Sequence, residues 1–211
     1  MAAHATHRRA AGFTLVEVLV ALVIMAILSA MAFRGIDAVM HAKDNALAAT
    51  DRTLKLNTGM SQFEYDVSQI VNTNVLPQAI MFDGATLRVA RRTPQGIQLV
   101  LWTLQDRRWQ RWASGSFTRV SELTDAWMRT QQWDAISGNA VTVLDNVDSF
   151  QVYLCNPAAI NTNGCSWNNV QSAQGVQGAA SGATAVQPNA IRISLKLAEG
   201  DLTRERELPR W

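Results

Sequence analysis

Glu17 is the residue in this chain whose setting most demands a chemical reason. It is the fifth position after Gly12, in the stretch Gly12-Phe13-Thr14-Leu15-Val16-Glu17, at the head of a long apolar run. A charged side chain at the centre of a bilayer costs roughly 2.5–3.5 kcal/mol on insertion scales. Near one end of a span the cost is smaller, yet a carboxylate kept there still needs a partner or an exit. The chemistry open to it is electrostatic, because two buried charges that pair cost far less than either alone. The simpler alternative is that Glu17 snorkels to the lipid headgroups.

Other groupings offer less. Cys155 and Cys165 are the two cysteines, with residues 156–164 between them. On the oxidising side of a membrane they are a candidate disulfide, and two free thiols are the alternative. Zinc is disfavoured, since no histidine lies nearby and His41 is the one histidine beyond His4 and His7. Trp102, Trp109 and Trp112 interleave with Arg107, Arg108 and Arg111. Such a segment could stack on single-stranded DNA. The plainer reading is a hairpin whose tryptophans fill a core and whose arginines line the turn. Asp145, Asn146, Asp148 and Asn163 carry oxygen ligands for calcium, but their spacing does not match a standard calcium loop. No Gly-x-Ser-x-Gly, His-Glu-x-x-His or glycine-rich phosphate loop occurs. The expectation is a chain with no catalytic residues, no metal and no cofactor, and not an enzyme.

The elements that would position these residues follow from periodicity. Residues 1–12 are short and basic, with Arg8 and Arg9 and no acid. Phe13 to Phe33 is interrupted only by Thr14, Glu17 and Ser29. As a helix this run is about 32 Å long, matching a hydrocarbon core of about 30 Å. A secretory signal is the rival, but its apolar core is shorter, at about 7–15 residues. The basic end should stay cytoplasmic and the rest should lie outside. Residues 34–75 continue without proline. Ala49, Thr53, Leu56, Met60, Phe63, Val67 and Ile70 form an apolar stripe of helical period. Asp44, Asp51, Arg52, Lys55, Glu64 and Asp66 are assigned to the opposite face. Gly35 and Gly59 should weaken the helix by up to about 1 kcal/mol each. The helix should end near Asn72 to Asn74, before Pro77.

After Pro77 the period becomes two. Leu87 and Val89, a Thr93-Pro94-Gln95-Gly96 turn, Ile97 to Thr103, Gln105 to Arg108 and Trp109 to Ala113 read as a β-meander. Residues 120–132 suit a short helix. Phe150, Val152 and Leu154 form one alternating set, and Ile191, Ile193, Leu195 and Leu197 another. Glu199-Gly200-Asp201 should turn the last hairpin. Residues 156–189 are rich in Asn, Gly, Ser, Ala and Gln and read as a flexible surface loop. Arg8 and Arg9 set aside, 17 basic residues face 17 acidic ones. That balance argues against a strong electrostatic nucleic-acid binder.

Residues 8–40 resemble the type IV pilin-like superfamily: a basic leader, Gly12-Phe13, Glu17 and an apolar helix. The resemblance implies that prepilin peptidase cuts between Gly12 and Phe13, and that Phe13 is N-methylated. It also implies that Glu17 neutralises the amine of Phe13 on a neighbouring subunit during filament assembly. The run Arg91-Arg92-Thr93-Pro94-Gln95-Gly96-Ile97-Gln98-Leu99-Val100-Leu101-Trp102 and the last hairpin are similar to J-type minor pseudopilins of type II secretion systems. The Asn/Gly/Ala-rich segment departs from that pattern. The implied fold is α+β and pilin-like, with a long N-terminal helix, transmembrane and then amphipathic, on a periplasmic antiparallel β domain. The implied divisions are a cleaved leader at 1–12, a transmembrane part at 13–33, a periplasmic helix at 34–75 and a β-rich domain at 76–211. The implied partners are I-, K- and H-type minor pseudopilins, the major pseudopilin, prepilin peptidase and the inner-membrane assembly platform. The implied location is the inner membrane, single-pass. A minor pilin of a type IV pilus is the alternative function, and a single-span periplasmic protein with a chance leader is a third class.

Overall fold

The computed structural model describes residues 13–156, 166–169 and 188–210. The chain divides into two compact units, the first ending at Asp51 and the second beginning at Arg52. The helix α1 (Leu15–Ser68) contributes to both.

In the first unit every described residue, from Phe13 to Asp51, is exposed. A helix that is apolar on all sides has no face to turn towards water. Its most apolar window has a mean hydropathy of 2.7, which makes it long and apolar enough to cross a membrane.

The second unit is built on the end of α1 and two antiparallel sheets. Strands β1 (Ile80–Phe82), β2 (Thr86–Thr93), β3 (Gly96–Gln105), β4 (Arg108–Phe117) and β5 (Val141–Asp145) pair in that order. The helix α2 (Val120–Arg129) follows β4. The second sheet runs β7 (Ser166–Asn169), β6 (Val147–Asn156), β8 (Ala190–Leu197) and β9 (Gly200–Glu207). The architecture is α+β, a long N-terminal apolar helix followed by antiparallel sheets.

Turn chemistry sets the meander. Asp106 and Arg107 both have positive φ, 50° and 60°, the geometry of a two-residue hairpin between β3 and β4. Gly96 has φ 136°, and a Cβ there would strike the Phe117 carbonyl. The β8–β9 hairpin pairs Leu197 with Gly200. The turn therefore lies at Ala198-Glu199, one residue earlier than the sequence suggested.

One core cluster joins Met60, Phe63 and Val67 of α1 to Leu87, Val89, Val100, Trp102 and Trp109 of the first sheet. The same cluster takes in Phe150, Val152, Ile191, Ile193 and Leu195 of the second. A smaller cluster packs Leu123, Ala126 and Trp127 of α2 on Ala90 and Leu99. The first sheet is thus covered on both faces, which is why the centre of β2 is buried at successive positions.

Three expectations need correction. Asp66 is not on the polar face of α1: it is fully buried. Ala49 and Thr53 are exposed, so the packed stripe starts at Leu56. The helix ends at Ser68, before Asn72, because the chain beyond it turns to pair with β2. Arg92 N–H donates to the Gln69 carbonyl at 2.8 Å and Val71 N–H to the Ala90 carbonyl at 3.0 Å. Those edge bonds take the backbone groups that a further helical turn would have used.

Candidate functional site

The charged end of the apolar helix is built from Phe13, Thr14 and Glu17. Thr14 precedes the first helical residue, and Glu17 N–H donates to its carbonyl at 3.1 Å and to its Oγ1 at 3.4 Å. Thr14 is therefore an N-cap rather than a polar interruption. Thr-x-x-Glu is also the capping-box spacing. The carboxylate of Glu17 sits in the first turn of α1, where the helix dipole favours negative charge. Among the described residues Glu17 carries no ion pair. Phe13 is 81% exposed, and Leu15, Val16, Val18 and Leu19 around it are exposed as well. The arrangement is an acid at one end of an apolar rod, with its side chain available to a cation from another molecule. Gly12 lies outside the described residues, so the Gly12–Phe13 bond has no geometry to report.

A second constellation holds α1 to the first sheet. Asp66 accepts hydrogen bonds from five donors. Its Oδ1 takes Gln62 Nε2 at 3.0 Å, Arg91 Nη1 at 2.7 Å and Arg111 Nη2 at 3.0 Å. Its Oδ2 takes Arg111 Nε at 2.7 Å and Trp102 Nε1 at 2.9 Å. Arg111 thus grips the carboxylate with two nitrogens, the geometry guanidinium groups suit best. A buried carboxylate left unpaired would be expensive, and here each oxygen is satisfied.

The interleaved tryptophans and arginines are divided by this network. Trp102 and Trp109 are fully buried with ring centroids 4.4 Å apart. Trp112 is half-buried against the smaller core cluster. Arg111 points inward to Asp66, Arg107 pairs with Asp148 at 2.7 Å, and Arg108 with Asp106 at 3.3 Å. Two of the three tryptophans are thus core, and each of the three arginines has a carboxylate partner.

Among the described residues no group of three or more His, Cys, Asp or Glu side chains could hold a metal ion. Asp148 is taken by Arg107 and Asp145 stands opposite Arg108 in the ladder. Asn163 lies outside the described residues. Cys155 is fully buried on β6 and is disulfide-bonded. Cys165, the other cysteine, lies outside the described residues, as does most of the 156–189 loop.

Among the described residues Asp83 is a carboxyl shifted by its surroundings. Burial opposes ionisation of Asp83, but the N–H groups of Ala85 and Thr86 and the Arg88 guanidinium outweigh it. Its carboxyl therefore titrates below the ordinary carboxylate range. Arg88 in turn is buried and donates to the Thr130 carbonyl at 3.1 Å, tying the C-terminal end of α2 to β2.

The sequence reading missed Thr14, Gly59 and Asp66. The signal for Asp66 was present: it lies three residues after Phe63 and four before Ile70, a spacing that shares one helix face. Gly59 had no local signal: the side chain that a Cβ there would strike, Val143 of β5, is remote in sequence.

Residues 7–33 match the family model of the prokaryotic N-terminal methylation motif. No curated protein matches the chain at a significant level. The match covers the apolar helix and its charged end and none of the β-rich unit. The chain therefore carries a type IV pilin-like prepilin signal, of the kind found on pilin-like structural proteins. Among the described residues one helix is long and apolar enough to cross a membrane, which suits single-pass anchoring.

Proposed function

We propose that this chain is a minor pseudopilin of a type II secretion system, of the J type. In this reading prepilin peptidase cuts between Gly12 and Phe13 on the cytoplasmic side, and Phe13 is N-methylated. The helix then anchors the subunit in the inner membrane with the β-rich unit in the periplasm. I-, K- and H-type subunits join it at the pseudopilus tip, above the major pseudopilin, on an inner-membrane assembly platform. The tip primes pseudopilus growth, and the pseudopilus helps export folded proteins across the outer membrane.

The observation that carries the reading is a lone carboxylate, Glu17, in the first turn of a fully exposed apolar helix within the matched methylation motif. A helix of that kind buries its surface only in lipid or against other helices. Inside a helix bundle, the Glu17 carboxylate meets the amine of Phe13 on a neighbour, and pairing relieves the desolvation of both. The J type is supported by the Arg91–Trp102 run, which forms the β2–β3 hairpin, and by the β8–β9 hairpin.

The test is a strain lacking this chain, complemented with the wild type or Glu17→Val. Exoprotein is measured in medium and periplasm, and surface pili are counted in the same cells. The expected result is exoprotein trapped in the periplasm with pili intact, restored by the wild type and not by Glu17→Val. Lost pili with normal secretion would replace the reading with a minor pilin of a type IV pilus.

A further inference from the structure

β9 forms one edge of the second sheet, and among the described residues no strand pairs with its outer side. The β8–β9 ladder has no register shift, and Leu208 N–H donates to the Asn189 carbonyl at 2.8 Å. Antiparallel residue pairs alternate between hydrogen-bonded and non-hydrogen-bonded. Carried back along β9 from Leu208, that alternation turns the N–H and C=O groups of Glu207, Glu205, Thr203 and Asp201 away from β8. A free edge of this length is a template for strand addition.

The side chains of β9 sort by the same alternation. Asp201, Thr203, Glu205 and Glu207 share a face with Lys196, Ser194, Arg192 and Ala190 of β8. Leu202, Arg204 and Arg206 share the other face with Leu195, Ile193 and Ile191. Apart from half-buried Leu202, all of β9 is exposed. Along β9 itself one row is therefore acidic and the other basic, and within the acidic row Glu205 is already held by Arg192 of β8 at 2.6 Å. A symmetric antiparallel pair of two copies sets residues of one face opposite residues of the same face. In every such register an acid meets an acid or Thr203, and an arginine meets an arginine, Leu202 or Gly200. Like charges directly opposite destabilise a strand pair, and unlike charges stabilise it.

We propose that the outer edge of β9 docks an extended segment of a different chain, added antiparallel. That segment carries bases opposite Asp201 and Glu207 and acids opposite Arg204 and Arg206, while Glu205 keeps its bond to Arg192. The same two rows turn away a second copy of this chain. The inference rests on β9 alone and stands independently of the secretion reading.

The probe is a synthetic peptide of eight residues, the length of β9, in which Lys and Glu alternate. A peptide of the same composition with the lysines and glutamates in two blocks is the control. Binding is read by fluorescence anisotropy on the detergent-solubilised full chain. The alternating peptide should bind about tenfold tighter than the block peptide and weaken as salt is raised. Thr203→Pro should abolish that binding. The Thr203 N–H points outward, so proline removes no bond to β8, and edge positions tolerate it. Circular dichroism checks that this variant is folded. Asp201→Lys provides a second arm: it sets a cation opposite Glu205 of another copy, and should make the chain self-associate in ultracentrifugation. Equal binding of the two peptides, binding that survives Thr203→Pro, or wild-type self-association lost in Thr203→Pro would each overturn the proposal.

Discussion

A carboxylate with no access to solvent holds α1 on the first sheet. Asp66 is satisfied by both arms of Arg111, by Arg91, by the Trp102 indole and by Gln62. Its arginine partners are themselves mostly buried, at 19% and 13% exposure. Removing the acid would leave two guanidinium groups facing each other without a counter-charge. Asp66→Ala should therefore cost about 3–5 kcal/mol, the loss expected when one partner of a buried pair is removed. The check is urea unfolding of the full chain in detergent, followed by tryptophan fluorescence, since Trp102 reports this site directly. A loss below about 1 kcal/mol would show that the network adds position but no stability. The other carboxylate of interest, Glu17, has the opposite setting: exposed, capped from behind by Thr14 and without a partner among the described residues. Its identity as a special residue was readable from the apolar sequence around it. Thr14 as its cap was readable too, from the Thr-x-x-Glu spacing. Which residues would answer Asp66 was not, because Arg91 and Arg111 are separated from it by 25 and 45 positions.

Two demands compete within α1. Before Asp51 all its side chains are exposed, and after Arg52 it buries Gly59, Met60, Phe63, Asp66 and Val67. Gly59 is where the sequence suggested only a weakened helix. A Cβ there would strike the Val143 side chain of β5 and come within 3.2 Å of Trp109. The glycine exists for close approach of helix and sheet. Gly59→Ala sets a helix-propensity gain of about 1 kcal/mol against overpacking of about 1–3 kcal/mol. The expected outcome is net destabilisation, seen as a lower thermal midpoint of the full chain. A raised midpoint would mean that Val143 yields and that β5 is not held tightly. The other elements were read with uneven success, for local reasons. β8 alternates cleanly because one face is core and the other is more open to solvent. β2 does not alternate cleanly, because α2 covers its second face and Arg88 is buried beneath Thr130. The end of α1 was misplaced because residues 69–71 exchange helical bonds for bonds to β2.

The whole molecule joins a segment that resists water to a unit with an ordinary core. Leu15, Leu19, Leu22, Ile24 and Leu28 are all more than half exposed. The full chain should therefore stay in the membrane fraction through an alkaline carbonate wash and leave it only in detergent. Release by carbonate alone would show that this helix is covered by protein and does not span a bilayer. From sequence alone came the apolar span, the basic residues ahead of it, Glu17 and the methylation signal, because each is written in consecutive residues and a bilayer reads local hydropathy. The α+β class and the last hairpin were legible for the same reason, as periodicity is local. Tertiary structure decided that Asp66 is core, that Gly59 is a contact, and that Trp102 and Trp109 face inward. It also decided that the acidic and basic rows of β9 stand on a sheet edge that no other described strand pairs with. Those outcomes depend on which remote strands meet α1 and on which edge of a sheet is left over. The pairing of distant segments settles both, and no window of neighbouring residues contains it.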